Sequence, residues 1–119
     1  MDKYLEFVKN FHNKFNVPVL EKPSLISKDR SDFRFLLMKD EVEEYLKGVQ
    51  NGDLENVAKE LADILYTVYG TILEHGLQEK IESIFKEVHD SNMSKDYHEF
   101  KMIKGPGYFK ADIKKFFID

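Results

Sequence analysis

The chain contains no cysteine, and among its 119 residues there are only two arginines, Arg30 and Arg34. The first absence removes disulfides, thiolate zinc sites and cysteine nucleophiles together, so any metal must sit on oxygen or imidazole. The second, with a formal net charge of -4, argues against duplex nucleic acid as a partner, because such binding needs a basic surface. Long apolar runs are missing as well. The longest uncharged one, Ile64 to Leu73, is too short to span a bilayer, and the start Met1-Asp2-Lys3-Tyr4 lacks the basic-then-apolar order of a secretory signal. These features predict no membrane partner and a cytoplasmic location. A small phosphorylated ligand stays open if a metal brings the positive charge.

What is present is a folded composition. Hydrophobic residues at 42% and aromatics at 13% suit one globular domain over residues 1–119, and 34% charge calls for a solvated outer face. Asp2 can cap a helix over about 3–16 with Tyr4, Val8, Phe11 and Phe15 on one stripe, ended by Pro18. After an extended connection, Ser27 can cap a second helix that stops at Asn51-Gly52. Asp53 can cap a third, closed by Gly76, so helices two and three form a tight antiparallel hairpin. A fourth helix is expected from about 78 to 90, and the stretch 91–119 is less regular, with at most one short helix near 111–117. The fold class is therefore all-α, an antiparallel bundle of four to five helices. Helix three is apolar on nearly every side from Val57 to Leu73, so its cover is expected to be a second subunit in a homodimer or homotetramer.

Carboxylates break that apolar stretch. Glu60 and Asp63 lie three residues apart and project from one face of helix three. On helix two, Glu41 and Glu44 repeat the spacing, with Asp40 a turn below Glu44. A carboxylate taken out of water is protonated, paired or metal-bound, because an unpartnered charge costs several kcal/mol. Acidic runs on helices usually face solvent, and Lys39, Lys47 and Lys59 are available as ion-pair partners, Glu43 with Lys47 the best placed and Lys59 directed to a different face. For helix two alone that is the better account. The hairpin changes the balance, because it directs Glu41, Glu44, Glu60 and Asp63 at one point. Hard oxygen ligands without histidine or sulfur suit Mg2+ or Mn2+.

The series Glu41-x-x-Glu44, fifteen intervening residues, then Glu60-x-x-Asp63 resembles the signature of the all-α nucleoside triphosphate pyrophosphohydrolases, which include MazG-type enzymes, dimeric dUTPases and phosphoribosyl-ATP pyrophosphohydrolases. The likeness extends to Phe11-His12-x-x-Phe15 before Pro18, Arg34-x-x-Leu37, Glu60-Leu-Ala-Asp63-Ile-Leu-Tyr66, Val88-His89-x-Ser91-Asn92-Met93-Ser94-Lys95 and Lys104-Gly105-Pro106-Gly107-Tyr108. Asp40 stands where relatives more often carry glutamate. The resemblance implies a MazG-like fold and magnesium-dependent cleavage of a nucleoside triphosphate between its α and β phosphates, giving a monophosphate and pyrophosphate. It implies Glu41, Glu44, Glu60 and Asp63 as metal ligands, with Asp40, or Glu41 in exchange, orienting or deprotonating water.

Substrate contacts are expected from residues that carry charge, amide or ring. Lys95, Lys104 and Arg34 are the phosphate candidates, Asn92 can read a base or ribose edge, and Tyr66 can stack a base. His12 is the one histidine worth testing for substrate contact. Each has a plainer account: a surface ion pair, a helix cap, or a core aromatic at helical spacing. Phosphoribosyl-ATP is the alternative substrate to a canonical or modified triphosphate. A non-catalytic helical dimerisation module is the alternative to an enzyme. A di-iron bundle is disfavoured because the sequence has no Glu-x-x-His, and an EF-hand because residues 51–56 lack its acidic loop.

Overall fold

The computed structural model describes residues 2–118, which group into two compact units, one up to Gln78 and one from Glu79 onward. The first contains helices α1 (Lys3–Phe15), α2 (Lys28–Gln50) and α3 (Leu54–Glu74). The second contains helix α4 (Ile81–Met93), strands β1 (Asp96–His98) and β2 (Lys101–Ile103), and a short 3-10 turn at Lys114–Phe117. No helix among the described residues is long and apolar enough to cross a membrane.

The three long helices start where local chemistry starts them. Asp2 accepts from the Tyr4 N–H at 2.7 Å, Ser27 from Arg30 at 3.2 Å and Asp53 from Asn56 at 3.1 Å, each satisfying a donor that the first turn leaves free. Asn16 ends α1 in the left-handed conformation. Gly52 and Gly76 take positive φ after α2 and α3. A Cβ on Gly76 would strike the Lys22 carbonyl, so that glycine also admits the α1–α2 connection, which is strapped to the end of α3 by Leu20 N–H to Leu73 O and Ser24 N–H to His75 O.

Helices α2 and α3 run antiparallel, as four rungs show: Gly48 lies against Val57, Glu41 against Glu60, Arg34 against Thr67 and Thr71, and Arg30 against Glu74. Helix α1 packs on α3, with Phe11 edge-on to Tyr66 at 5.5 Å. The fully apolar core is small, consisting of Leu5, Val8 and Leu73.

The expected helices recur with shifted ends, most visibly α4, which begins three residues later than expected and runs on to Met93. The hairpin β1–β2 was not expected. Its two turn residues, Glu99 and Phe100, both adopt positive φ, a conformation ordinarily given to Asn and Gly, so the sequence carries no turn signal there.

Candidate metal centre

The Glu41–Glu60 rung of the α2–α3 hairpin, with Asp63 a turn further along α3, carries the acids. One oxygen from each of Glu41, Glu60 and Asp63 lies within 4.8 Å of the others. Glu60 is buried, and its Oε2 has no hydrogen-bond partner among the described residues. Burial first, and then the neighbouring Glu60 and Asp63, push the Glu41 carboxyl above the usual carboxylate range. Among the described residues the one cation paired with the group is Lys59, whose ammonium reaches Asp63 at 2.8 Å and Glu60 at 3.5 Å. Its side chain is 67% exposed, so this is a weak, screened pair rather than full compensation for three converging acids. It nevertheless reaches the acidic face, against the expectation that it points elsewhere.

Three carboxylates with an unpartnered buried oxygen and no imidazole or sulfur fit a hard divalent cation. A buried acceptor left unsatisfied costs about 1–3 kcal/mol, more when charged, and a bound cation removes that cost. The helical spacing makes the geometry inevitable once the hairpin is in register. Glu60 and Asp63 rise from one face of α3, and Glu41 is the residue of α2 opposite them.

The other expected residues fall in different places. Glu44 is exposed and pairs with Lys47 at 3.2 Å, outside the three-residue group; Glu43 pairs with Lys39 instead of the expected Lys47. Asp40 is exposed and also outside the group. Tyr66 is 40% exposed beside Phe11. His12 and Arg34 are both buried. The His12 Nδ1 meets the Pro18 carbonyl at 3.0 Å, and burial, as the largest cause, lowers the pKa of its ring. The Arg34 guanidinium donates to Thr71 Oγ1 and Thr67 O and pairs with Glu74 at 3.1 Å.

In the second unit, Asn92 is exposed in the last turn of α4, with Lys95 just beyond it. The pairing of Asp96 with Ile103 is the last of the hairpin, and Lys95 and Lys104 are the residues that follow it at the open end. Lys104 stacks over Tyr108 at 5.3 Å, and Gly105 admits the Asp96 carboxylate where a Cβ would collide.

Sequence reasoning missed Glu74, which is 1% exposed and carries both arginines, Arg30 at 2.8 Å and Arg34 at 3.1 Å. The available signal was the pairing of scarce cations: the only two arginines stand one helical turn apart, which suits a single shared anion.

A long helical hairpin with carboxylates converging from both arms defines the class of all-α proteins that hold divalent cations on acidic helix faces. The model of the phosphoribosyl-ATP pyrophosphohydrolase family matches residues 8–92, and the chain belongs to that family of metal-dependent enzymes acting on phosphoanhydride bonds. No curated protein matches the chain closely enough to add a named relative.

Proposed function

We propose that this protein is a magnesium-dependent pyrophosphohydrolase that splits phosphoribosyl-ATP between its α and β phosphates, releasing pyrophosphate. The observation that carries the reading is the buried, unpartnered Glu60 oxygen beside Glu41 and Asp63. The family match favours phosphoribosyl-ATP over the broader class of canonical nucleoside triphosphates.

Glu41, Glu60 and Asp63 would hold Mg2+ or Mn2+, with Glu44 the fourth acid on the same stripe of α2, available on leaving Lys47. A bound divalent ion supplies neutralisation of phosphate charge and an acidified water. Glu41 is better placed than the exposed Asp40 to accept the proton of the attacking water, because it lies among the converging acids. Water adds to the α phosphorus, the bridging oxygen leaves with pyrophosphate, and the proton passes to the carboxylate. Within the unit that carries the acids, Tyr66 is the group proposed for stacking on the base.

The active form is proposed to be a homo-oligomer. Leu61, Leu65 and Val68 line one face of α3 and Val42, Leu46 and Val49 one face of α2, each at i, i+4, i+7 and each between 36% and 55% exposed. A three-residue apolar core leaves these stripes as apolar surface available for burial against another copy.

The test is pyrophosphate release from a panel of phosphoribosyl-ATP, ATP and deoxynucleoside triphosphates, with and without Mg2+. Metal-dependent release from phosphoribosyl-ATP supports the reading. Preference for a deoxynucleotide would reassign the substrate, and release from none would leave a helical module without catalysis.

A further inference from the structure

The only two arginines of the chain wall one cavity of about 280 Å³, together with Phe11, His12, Asn16 and Phe33. None of the residues lining it is acidic. Both guanidinium groups turn to a single carboxylate, Glu74. An arginine does not give up its proton in a protein, so two cations against one anion leave one positive charge in excess at the cavity wall.

That excess has an address. Arg34 is spent on Thr67, Thr71 and Glu74. Arg30 gives only Nε and Nη2 to Glu74, at 3.0 and 2.8 Å, so its Nη1 makes no hydrogen bond among the described residues. Its side chain is 37% exposed and lies over the Phe33 ring at 4.8 Å. The result is a guanidinium fixed in orientation by a buried carboxylate and an aromatic face, with one donor edge open. Pre-organised guanidinium of this kind suits phosphate recognition.

The cavity also shares a face with the metal centre. Arg30, Arg34, Leu37 and Glu41 follow the i, i+4, i+7, i+11 stripe of α2 that meets α3. At about 1.5 Å per residue, Arg34 stands about 10 Å and Arg30 about 16 Å along the helix from Glu41. That separation is on the scale of a nucleoside. Phosphoribosyl-ATP differs from ATP by a phosphorylated ribose, whose phosphomonoester must sit away from the triphosphate.

Resting on the functional reading above, we propose that this cavity receives the phosphomonoester of the substrate's second ribose, with Arg30 as the residue that distinguishes phosphoribosyl-ATP from unmodified ATP. Arg34 and Glu74 position it, and the neighbouring apolar rings exclude water from the pair.

The experiment measures kcat and KM for phosphoribosyl-ATP in wild type, Arg30→Met and Arg30→Lys, and the melting shift given by ribose 5-phosphate against ribose. Loss of one charge-assisted contact should raise KM about tenfold or more in Arg30→Met with kcat little changed. Arg30→Lys should recover part of the loss and serves as the folded control. Ribose 5-phosphate, and not ribose, should raise the melting temperature of wild type but not of Arg30→Met. An unchanged KM in a folded Arg30 variant overturns the proposal. If wild type turns over no phosphoribosyl-ATP, the functional reading falls by itself. The cavity is then judged on ribose 5-phosphate: a shift confined to wild type supports it, and equal shifts or none overturn it.

Discussion

Arg34 lies directly against the backbone of Gly70, in the space where any larger residue would place its Cβ. The same imagined Cβ would stand 2.9 Å from His12 Nε2, so one glycine in mid-α3 admits side chains from both α1 and α2. Ordinarily a helical glycine replaced by alanine gains about 1 kcal/mol. Here the guanidinium would have to leave Thr67, Thr71 and Glu74, and breaking a buried pair costs about 3–5 kcal/mol. The loss wins. Gly70→Ala should destabilise by about 2–4 kcal/mol in denaturant or thermal melts. Gly107→Ala, which meets open space, should stay within about 0.5 kcal/mol of wild type. Equal stability of the two variants would show that the arginine does not need the gap.

At the metal centre, Glu60→Gln keeps shape and removes charge. The three acids repel one another without a divalent cation, Lys59 compensating them only in part, so the variant should melt no lower than wild type in chelator, and higher if repulsion dominates. In wild type, Mg2+ or Mn2+ at about 100 times its dissociation constant should add about 2.7 kcal/mol. The variant should gain almost nothing, and pyrophosphate release should fall at least about a hundredfold. Asp63→Asn should behave alike, while Glu44→Gln should weaken metal binding less than either, because Glu44 must first leave Lys47 to reach the metal. A Glu60→Gln protein that still gains full metal stabilisation would remove the proposed site.

How much of this could be read from the sequence depends on which interactions are local. The caps at Asp2, Ser27 and Asp53 act within three residues, and the three helices they start begin where they were expected. Glu60 and Asp63 stood out because charge interrupts an apolar helix, and a short link left one way to fold the hairpin, so Glu41 was legible as their partner. Glu44 and Asp40 share the motif, but a rotation about the helix of one or two residues decides between the acid cluster and solvent, and spacing does not resolve that. The burial of Arg34 and His12 depends on Gly70, some thirty-six residues further along than Arg34, and a lone helical glycine announces no partner. The β1–β2 hairpin was invisible because Glu99 and Phe100 adopt positive φ without the residues that usually signal it.

The exposed stripes on α2 and α3 predict association through them. Leu65 is 55% exposed at the centre of the Leu61, Leu65, Val68 stripe. Sedimentation should find a dimer or tetramer in wild type. Leu65→Asp should shift the mass toward the monomer and lower the melting temperature, since a charge in a buried apolar interface costs several kcal/mol when unpaired. A monomer in wild type at working concentration would instead leave the stripes as solvent-facing surface.

The second unit carries its own pH dependence. Glu87 Oε1 accepts the Asp112 N–H at 3.0 Å and Oε2 accepts the Lys115 ammonium at 2.9 Å, which ties the C-terminal segment to α4. The backbone hydrogen bond first, and Lys115 second, hold the Glu87 carboxyl below its ordinary value. A carboxylate whose folded pKa is depressed contributes its stability fully above the unfolded value and loses it as pH falls through the folded one. The tie is therefore expected to be complete at neutral pH and to release only in acid, below the ordinary carboxylate range. Amide exchange at Asp112, corrected for intrinsic chemistry, should lose protection over that acid window in wild type. Glu87→Gln gives up the charge on Lys115 but keeps an acceptor for the amide, so its protection should be lower at neutral pH and flat through the same window. If the variant instead followed the wild-type acid profile, another carboxylate would be holding the segment.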